Sequence, residues 1–266
     1  MKNIFLYLNY IDHVHIARVS KDLSLPVFNQ AVQMSGSLCF FLLHLFSFSF
    51  IIRKFNFQGW SQPELWILLF TFEIFTYSAF FLFWRGFIYT VRDISTGAFD
   101  LVLSKPITSR LTSFFRGGGS HNLFSASAGA ILLAITIIVY RLPINPIGLL
   151  LYLVLLISSL WITYCIGVAF ISLNLRYGRL DSTIGVVFQV QEAYKFPSTA
   201  YSKFNVVIWA FLSALSLLTT LPTAALLSKP LDVKLIILYV VTLILTTCIA
   251  HYSWSSGLRH YSSASS

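Results

Sequence analysis

Charge is scarce in this chain. Asp, Glu, Lys and Arg make up 10% of its 266 residues, against about 25% in an ordinary soluble domain, which excludes a surface built to face water. Acids are the rarer sign, nine against eighteen Lys and Arg. No paired carboxylates, H-E-x-x-H motif or Cys/His cluster occurs. A hydrolase or metalloprotease inside the membrane would have little to work with, so no catalytic residue and no metal site are expected. Cys39, Cys165 and Cys248 lie inside apolar runs, too far apart in sequence to form a metal-ligand motif. They read as small hydrophobes and say nothing about redox compartment. A G-x-x-x-x-G-K-[ST] phosphate loop is also missing. The nearest stretch, GGGSHN at 117–122, lacks the Lys, follows no strand and reads as a flexible connector. The chain is therefore not expected to bind or hydrolyse ATP itself. Residues 1–30 hold Asp12, His13, His15, Arg18, Lys21 and Asp22 with no early unbroken apolar core, so a cleavable signal peptide is not expected. No internal repeat is evident, so the inverted-repeat signature of many secondary transporters is missing.

What the chain has in abundance is apolar surface. Hydrophobic residues reach 57% and aromatics 17%, with 25 Phe, and the mean hydropathy is +0.78. A water-soluble fold of this length could not hide so much. A helix needs roughly 20 apolar residues to span the hydrocarbon core. Six windows qualify: Ala31–Ile52, Glu64–Trp84, Leu123–Tyr140, Ile147–Leu173, Asn205–Leu227 and Val233–Trp254. With the N-terminus inside, thirteen of the 18 Lys and Arg fall in inner segments and five (Arg53, Lys54, Arg141, Lys229, Lys234) in outer ones. The positive-inside rule then places both termini in the cytoplasm. The net charge of +9 follows from that bias, with some attraction to anionic headgroups. No nucleic-acid partner is expected, and membrane lipids are.

The cytoplasmic segments are more than turns. Residues 2–20 carry Ile4, Leu8, Ile11 and Val14 at helical spacing and read as an amphipathic helix along the membrane surface, with Pro26 ending or kinking the approach to the first span. After the second span, Ile88, Val91, Ile94, Ala98 and Leu101 suggest that the helix continues inward. Gly97 breaks it and starts a short new helix with Asp100 in its first turn, and Pro106 stops that one. Residues 184–194 read as a surface or partly inserted helix ended by Pro197.

Four residues are candidates for a substrate path. Glu73 lies in the middle of the second span, where a carboxylate is costly unless protonated or paired. It either lines a path and binds a proton, or is a neutral group bonded across helices or to Tyr77 one turn on. His44 in the first span poses the same choice, with burial of a neutral imidazole the cheaper case. The Phe-rich face of the second span is partly lipid-facing. Pro222 should kink the outer half of the fifth span, by packing or to widen a vestibule.

Taken in order, these parts resemble the type-2 ABC exporter permeases (ABC-2 type). The resemblance rests on ISTGAFDLVLSKPI at 94–107, KFPSTAYSKF at 195–204, LPTAALL at 221–227 and WSSGLRHYSSASS at 254–266. Phe99, Lys105 and Phe196 depart mildly from the family pattern. The resemblance implies an all-α polytopic membrane protein with six transmembrane helices, an N-terminal amphipathic surface helix and a cytoplasmic coupling helix. On this resemblance the whole of 1–266 is expected to form one permease domain: surface helix 1–30, spans 31–84, coupling segment 85–122, spans 123–173, cytoplasmic segment 174–204, spans 205–254 and tail 255–266. It further implies a bacterial inner-membrane location, a second permease subunit (identical or related), and separate ABC ATPase subunits that carry ATP and Mg. Gly97, Phe99, Asp100, Leu101, Leu103, Lys105 and Pro106 would form the ATPase-coupling element, with Gly97 turning, Asp100 capping, and Leu101 and Leu103 anchoring. Arg259 and Tyr261 would lie near the cytoplasmic face. A proton-coupled secondary transporter using Glu73 is the alternative. A lipid-modifying enzyme and a non-transporting scaffold rank below it.

Overall fold

A computed structural model describes residues 2–105, 109–116, 118–178 and 182–262, apart from the side chains of 2–12, 111, 182–184 and 187. Pro106 and Gly117 lie outside the described residues, as does the stripe of side chains expected on Ile4, Leu8 and Ile11.

The described chain is helical throughout: α1 (Lys2–Leu23), α2 (Val27–Lys54), α3 (Gln62–Thr96), α4 (Asp100–Leu103), α5 (Ser109–Phe114), α6 (Ser120–Val139), α7 (Pro146–Tyr177), α8 (Ser182–Gln191), α9 (Val206–Leu226) and α10 (Val233–His260). Among the described residues, α2, α3, α6, α7, α9 and α10 are long and apolar enough to cross a membrane. They are the six expected spans.

Local chemistry fixes where several of them begin. Ser61 and Glu64 form a reciprocal capping box at the start of α3. The side chains of Asn145, Asn205 and Asp232 accept backbone N–H groups at the starts of α7, α9 and α10, satisfying donors that a helix start otherwise leaves orphaned. As the sequence suggests, α3 runs on past its apolar window. It ends at Gly97, whose φ of 78° is a left-handed conformation that glycine adopts without a Cβ clash. A π-helical turn interrupts α3 at Phe80–Trp84, a feature often found at functional sites.

Two apolar clusters form the core. One joins α3, α7 and α9 near the short turns 55–61 and 227–232, around Leu68, Phe72 and Leu217. The other joins α3, α4, α5, α7 and α10 at the opposite end, around Phe87, Phe99 and Trp254. The short-turn end is clamped by Lys229, whose Nζ donates to Glu64 Oε2 at 2.7 Å and to Gly59 O at 2.6 Å and lies over the Trp60 ring.

Gly118 and Gly119, the described part of the glycine run, are not a loose connector. A Cβ on Gly118 would stand 2.4 Å from the Phe81 backbone, so the chain packs directly on α3 there, and Gly119 is the residue before α6. Only a residue without a side chain permits that approach.

Candidate functional site

Two regions gather the residues singled out by the sequence. The first is a cavity of about 530 Å³ between α2, α3, the start of α6 and α8. His44 and Tyr77 line it; Glu73 does not, but it contacts His44. The sequence offers His44 and Glu73 as separate candidates, and the structure makes them one unit. Nδ1 of His44 lies 2.8 Å from Oε1 of Glu73, and Glu73 is 0% exposed. A bond between helices is one of the two outcomes that a buried carboxylate allows. It leaves Oε2 of Glu73 buried with no hydrogen-bond partner. Tyr77 does not bond Glu73; its hydroxyl donates to Ser37 O on α2 at 3.0 Å. Both bonds tie α2 to α3. Pro222 is not part of this group. It is buried inside α9 and is not among the residues that line the cavity.

Several lining residues carried no distinct signal in the sequence. Arg85, His121, Asn122, Phe188 and Gln191 come from three separate segments. Gln191 donates to Thr76 Oγ1 at 3.1 Å. Phe188 stacks on Phe80 at 5.5 Å and meets Trp84 at 4.6 Å, so α8 closes over the π turn of α3. Arg85 alone offered a hint, as a cation directly after the run FFLFW.

Beyond α8, Glu192 pairs with Lys195, and Lys195 lies over the Phe72 ring at 5.3 Å. The chain then packs on α9, where Thr219 Oγ1 donates to Tyr194 O. Burial pushes the Tyr201 hydroxyl up to about 12, so it stays protonated at neutral pH and donates to Ala193 O at 3.0 Å.

The second region lies at the end opposite the short turns. After Gly97 the chain forms α4, a single turn of helix. Phe99 is 0% exposed, with its ring 6.2 Å from that of Trp254 and 5.3 Å from that of Tyr261. Tyr261 also donates to Asp100 Oδ1 at 3.1 Å. Two motifs more than 150 residues apart in sequence thus meet in one cluster. Asp100 is the first helical residue rather than the cap, and its carboxylate holds the end of α10. Val102 is buried while Leu101 is 71% and Leu103 40% exposed, and Lys105 is exposed too. Arg116 Nη1 pairs with Asp93 Oδ2 at 2.5 Å, and Thr90 Oγ1 donates to Ser113 O. These bonds brace α5 and its flank against the end of α3.

The arrangement is a membrane-embedded bundle with a mixed polar and aromatic cavity and a rigid, partly apolar knob at one end. Six spans of this length and hydropathy define a multi-pass membrane protein. The chain belongs to the ABC-2 family: a family model described as "ABC-2 family transporter protein" matches residues 38–265, which include most of α2 and all five other spans. No curated protein and no solved structure matches the chain.

Proposed function

We propose that this chain is the membrane subunit of an ATP-driven exporter and that α4 is its coupling helix. A separate ABC ATPase would bind ATP and Mg and supply the hydrolysis. A second permease subunit, identical or related, would complete the pathway. In a bacterial inner membrane, the end bearing α4 and both termini would face the cytoplasm, with α1 along the membrane surface.

The observation that carries this reading is the two-sided construction of α4. On its inner side Phe99 packs against Trp254 of α10 and Val102 is buried in the same apolar cluster, while Leu101, Leu103 and Lys105 are exposed. A push on the outer side would pass through Phe99 to Trp254 on α10. The Asp93–Arg116 bridge joins the same end of α3 to the segment that follows α5. The fold thus gives an external protein a stiff lever on at least two spans.

The test is a mild-detergent pull-down of the tagged chain with L101E and L103E combined. Both side chains are exposed, so the fold should survive, and the expected result is loss of a co-purifying ATPase. Retention of equal amounts of ATPase would refute the coupling role of α4. The buried His44–Glu73 pair beside the cavity favours a second reading, proton-coupled transport. Under that reading, activity would collapse with an uncoupler while ATP remained present.

A further inference from the structure

The cavity of about 530 Å³ has its polar groups unevenly distributed. At the level of α3 nearest Glu73 the groups are already engaged: His44 with Glu73, Tyr77 with Ser37, and Gln191 with Thr76. Glu192 also lines the cavity, and it is paired with Lys195. The opposite level is different. Arg85 Nη1 is buried with no hydrogen-bond partner, and so is Nδ1 of His121. The two atoms converge. A Cβ placed on Gly119 would stand 2.5 Å from His121 Nδ1 and 3.2 Å from Arg85 Nη1. Asp22, the nearby carboxylate, is occupied by Arg18 and by the backbone N–H of Ser120.

Arg85 is half-buried, but its Nη1 is buried without an acceptor; leaving such a charged donor unpaired is costly, and an anion would satisfy it with charge-assisted hydrogen bonds. Glu73 and Arg85 are twelve positions apart on α3, about 18 Å at 1.5 Å per residue. Phe80 and Phe188 line the stretch between them, and Phe72 lines the cavity beside Glu73. The cavity reaches the surface of the bundle beside α2: Phe40 lines it yet is 66% exposed, and nothing lies within 4 Å of a Cβ on Gly36. The opening faces the side that lipid would occupy.

We propose that this cavity binds an amphiphile with one anionic head group, a phosphate or carboxylate. The head sits at Arg85 and His121, and the apolar chain runs along Phe80, Phe188 and Phe72. The site lies within one chain and does not depend on the ATPase reading.

The experiment measures saturable binding of radiolabelled dodecyl phosphate to the full chain, with any co-purifying subunits, in phosphatidylcholine nanodiscs. The expected result is affinity at least tenfold higher than for dodecyltrimethylammonium, with no competition from inorganic phosphate. R85Q should weaken dodecyl phosphate binding about tenfold or more, and R85K should stay within about threefold of wild type. G119A keeps every charge, but its Cβ would stand 2.3 Å from Cε1 and 2.5 Å from Nδ1 of His121, so it must push the imidazole out of the head position. Gly119 has φ −73° and ψ 146°, a backbone that alanine adopts freely, so G119A should also weaken binding. Competition by phosphatidylglycerol added to the disc would assign the site to a bilayer lipid, and its absence to a single-chain amphiphile. Both outcomes uphold the anionic head. Equal binding of the anionic and cationic probes to wild type would overturn the proposal. So would equal competition by inorganic phosphate, or wild-type binding in G119A. If R85Q fails to insert, the wild-type probe series and G119A still decide.

Discussion

α3 and α10 are both long apolar helices, and by hydropathy α10 is the stronger membrane span. Their environments are opposite. In α3 67% of the most apolar window is buried inside the protein, against 11% in α10. In a bilayer, apolar character does not distinguish core from lipid contact, because lipid tails are as apolar as leucine. Polar residues make the distinction. The buried stretch of α3 contains Thr71, Glu73 and Thr76, and Glu73 and Thr76 bond to other elements. On α10, Tyr239 and Thr247 bond across to α7, whereas Thr242 and Thr246, away from those contacts, return their hydroxyls to their own helix.

The sharpest way to break the comparison is a matched truncation. Ile67 on α3 is 0% exposed, and Ile244 on α10 is 59% exposed. I67A should cost about 2–5 kcal/mol, the range for emptying a packed site. I244A should stay within about 0.5 kcal/mol. Thermal unfolding of both variants in the same detergent measures the difference. Equal losses would mean that α10 is packed against protein in the working assembly, as it would be at a permease dimer interface.

A second pair of effects contrasts the inner and outer sides of α4. F99A removes a fully buried ring lodged between Trp254 and Tyr261, for an expected loss of about 3–5 kcal/mol. L101A removes a side chain that is 71% exposed and should leave the melting temperature within about a degree or two, since surface changes are usually within ±0.5 kcal/mol. A large fall in L101A stability would mean that the outward side is covered by the chain itself, leaving no face for a partner.

The third concerns the only ionisable pair seen between α2 and α3 among the described residues. H44A leaves Glu73 buried with neither oxygen bonded, and the expected loss is about 1–3 kcal/mol. E73Q keeps an acceptor for His44 and should lose less. If H44A melted like wild type, the pair would contribute nothing to holding α2 in place.

How much of this was legible beforehand follows from the same physics. The six spans, the inward extension of α3, the break at Gly97 and the short helix after it all show in the sequence. Each depends on hydropathy, periodicity or one residue's backbone preference, which are local properties. The His44–Glu73 bond was not legible, because nothing in one helix reports which face of a distant helix it meets. The head of the cavity was hidden for the same reason: Arg85 and His121 are 36 positions apart, with the close packing of Gly118 on α3 between them. That packing also explains why Gly118 and Gly119, read as part of a slack connector, are in fact tightly packed. Asp100 was legible as a residue of the first helical turn, but its bond to Tyr261 depends on where α10 ends. The meeting of the two motifs at Phe99, Trp254 and Tyr261 is a tertiary contact that no local pattern encodes.

The smallest expected effect tests the argument about polar residues most directly. Thr219 on α9 is 0% exposed and donates to Tyr194 O, in a segment outside its own helix. Thr246 on α10 donates to Thr242 O one turn back. Thr→Val keeps the shape and removes the hydroxyl at either site. T219V leaves a buried carbonyl without that donor, and tertiary hydrogen bonds in membrane proteins average about 0.6 kcal/mol with a maximum near 1.7. T246V leaves a carbonyl that the helix already satisfies, so its stability should be unchanged or slightly raised. T219V should therefore melt below T246V by about one to two degrees. Were the order reversed, buried threonines would be marking helix bending rather than contact, and the polar-residue rule for telling core from lipid in this fold would fail.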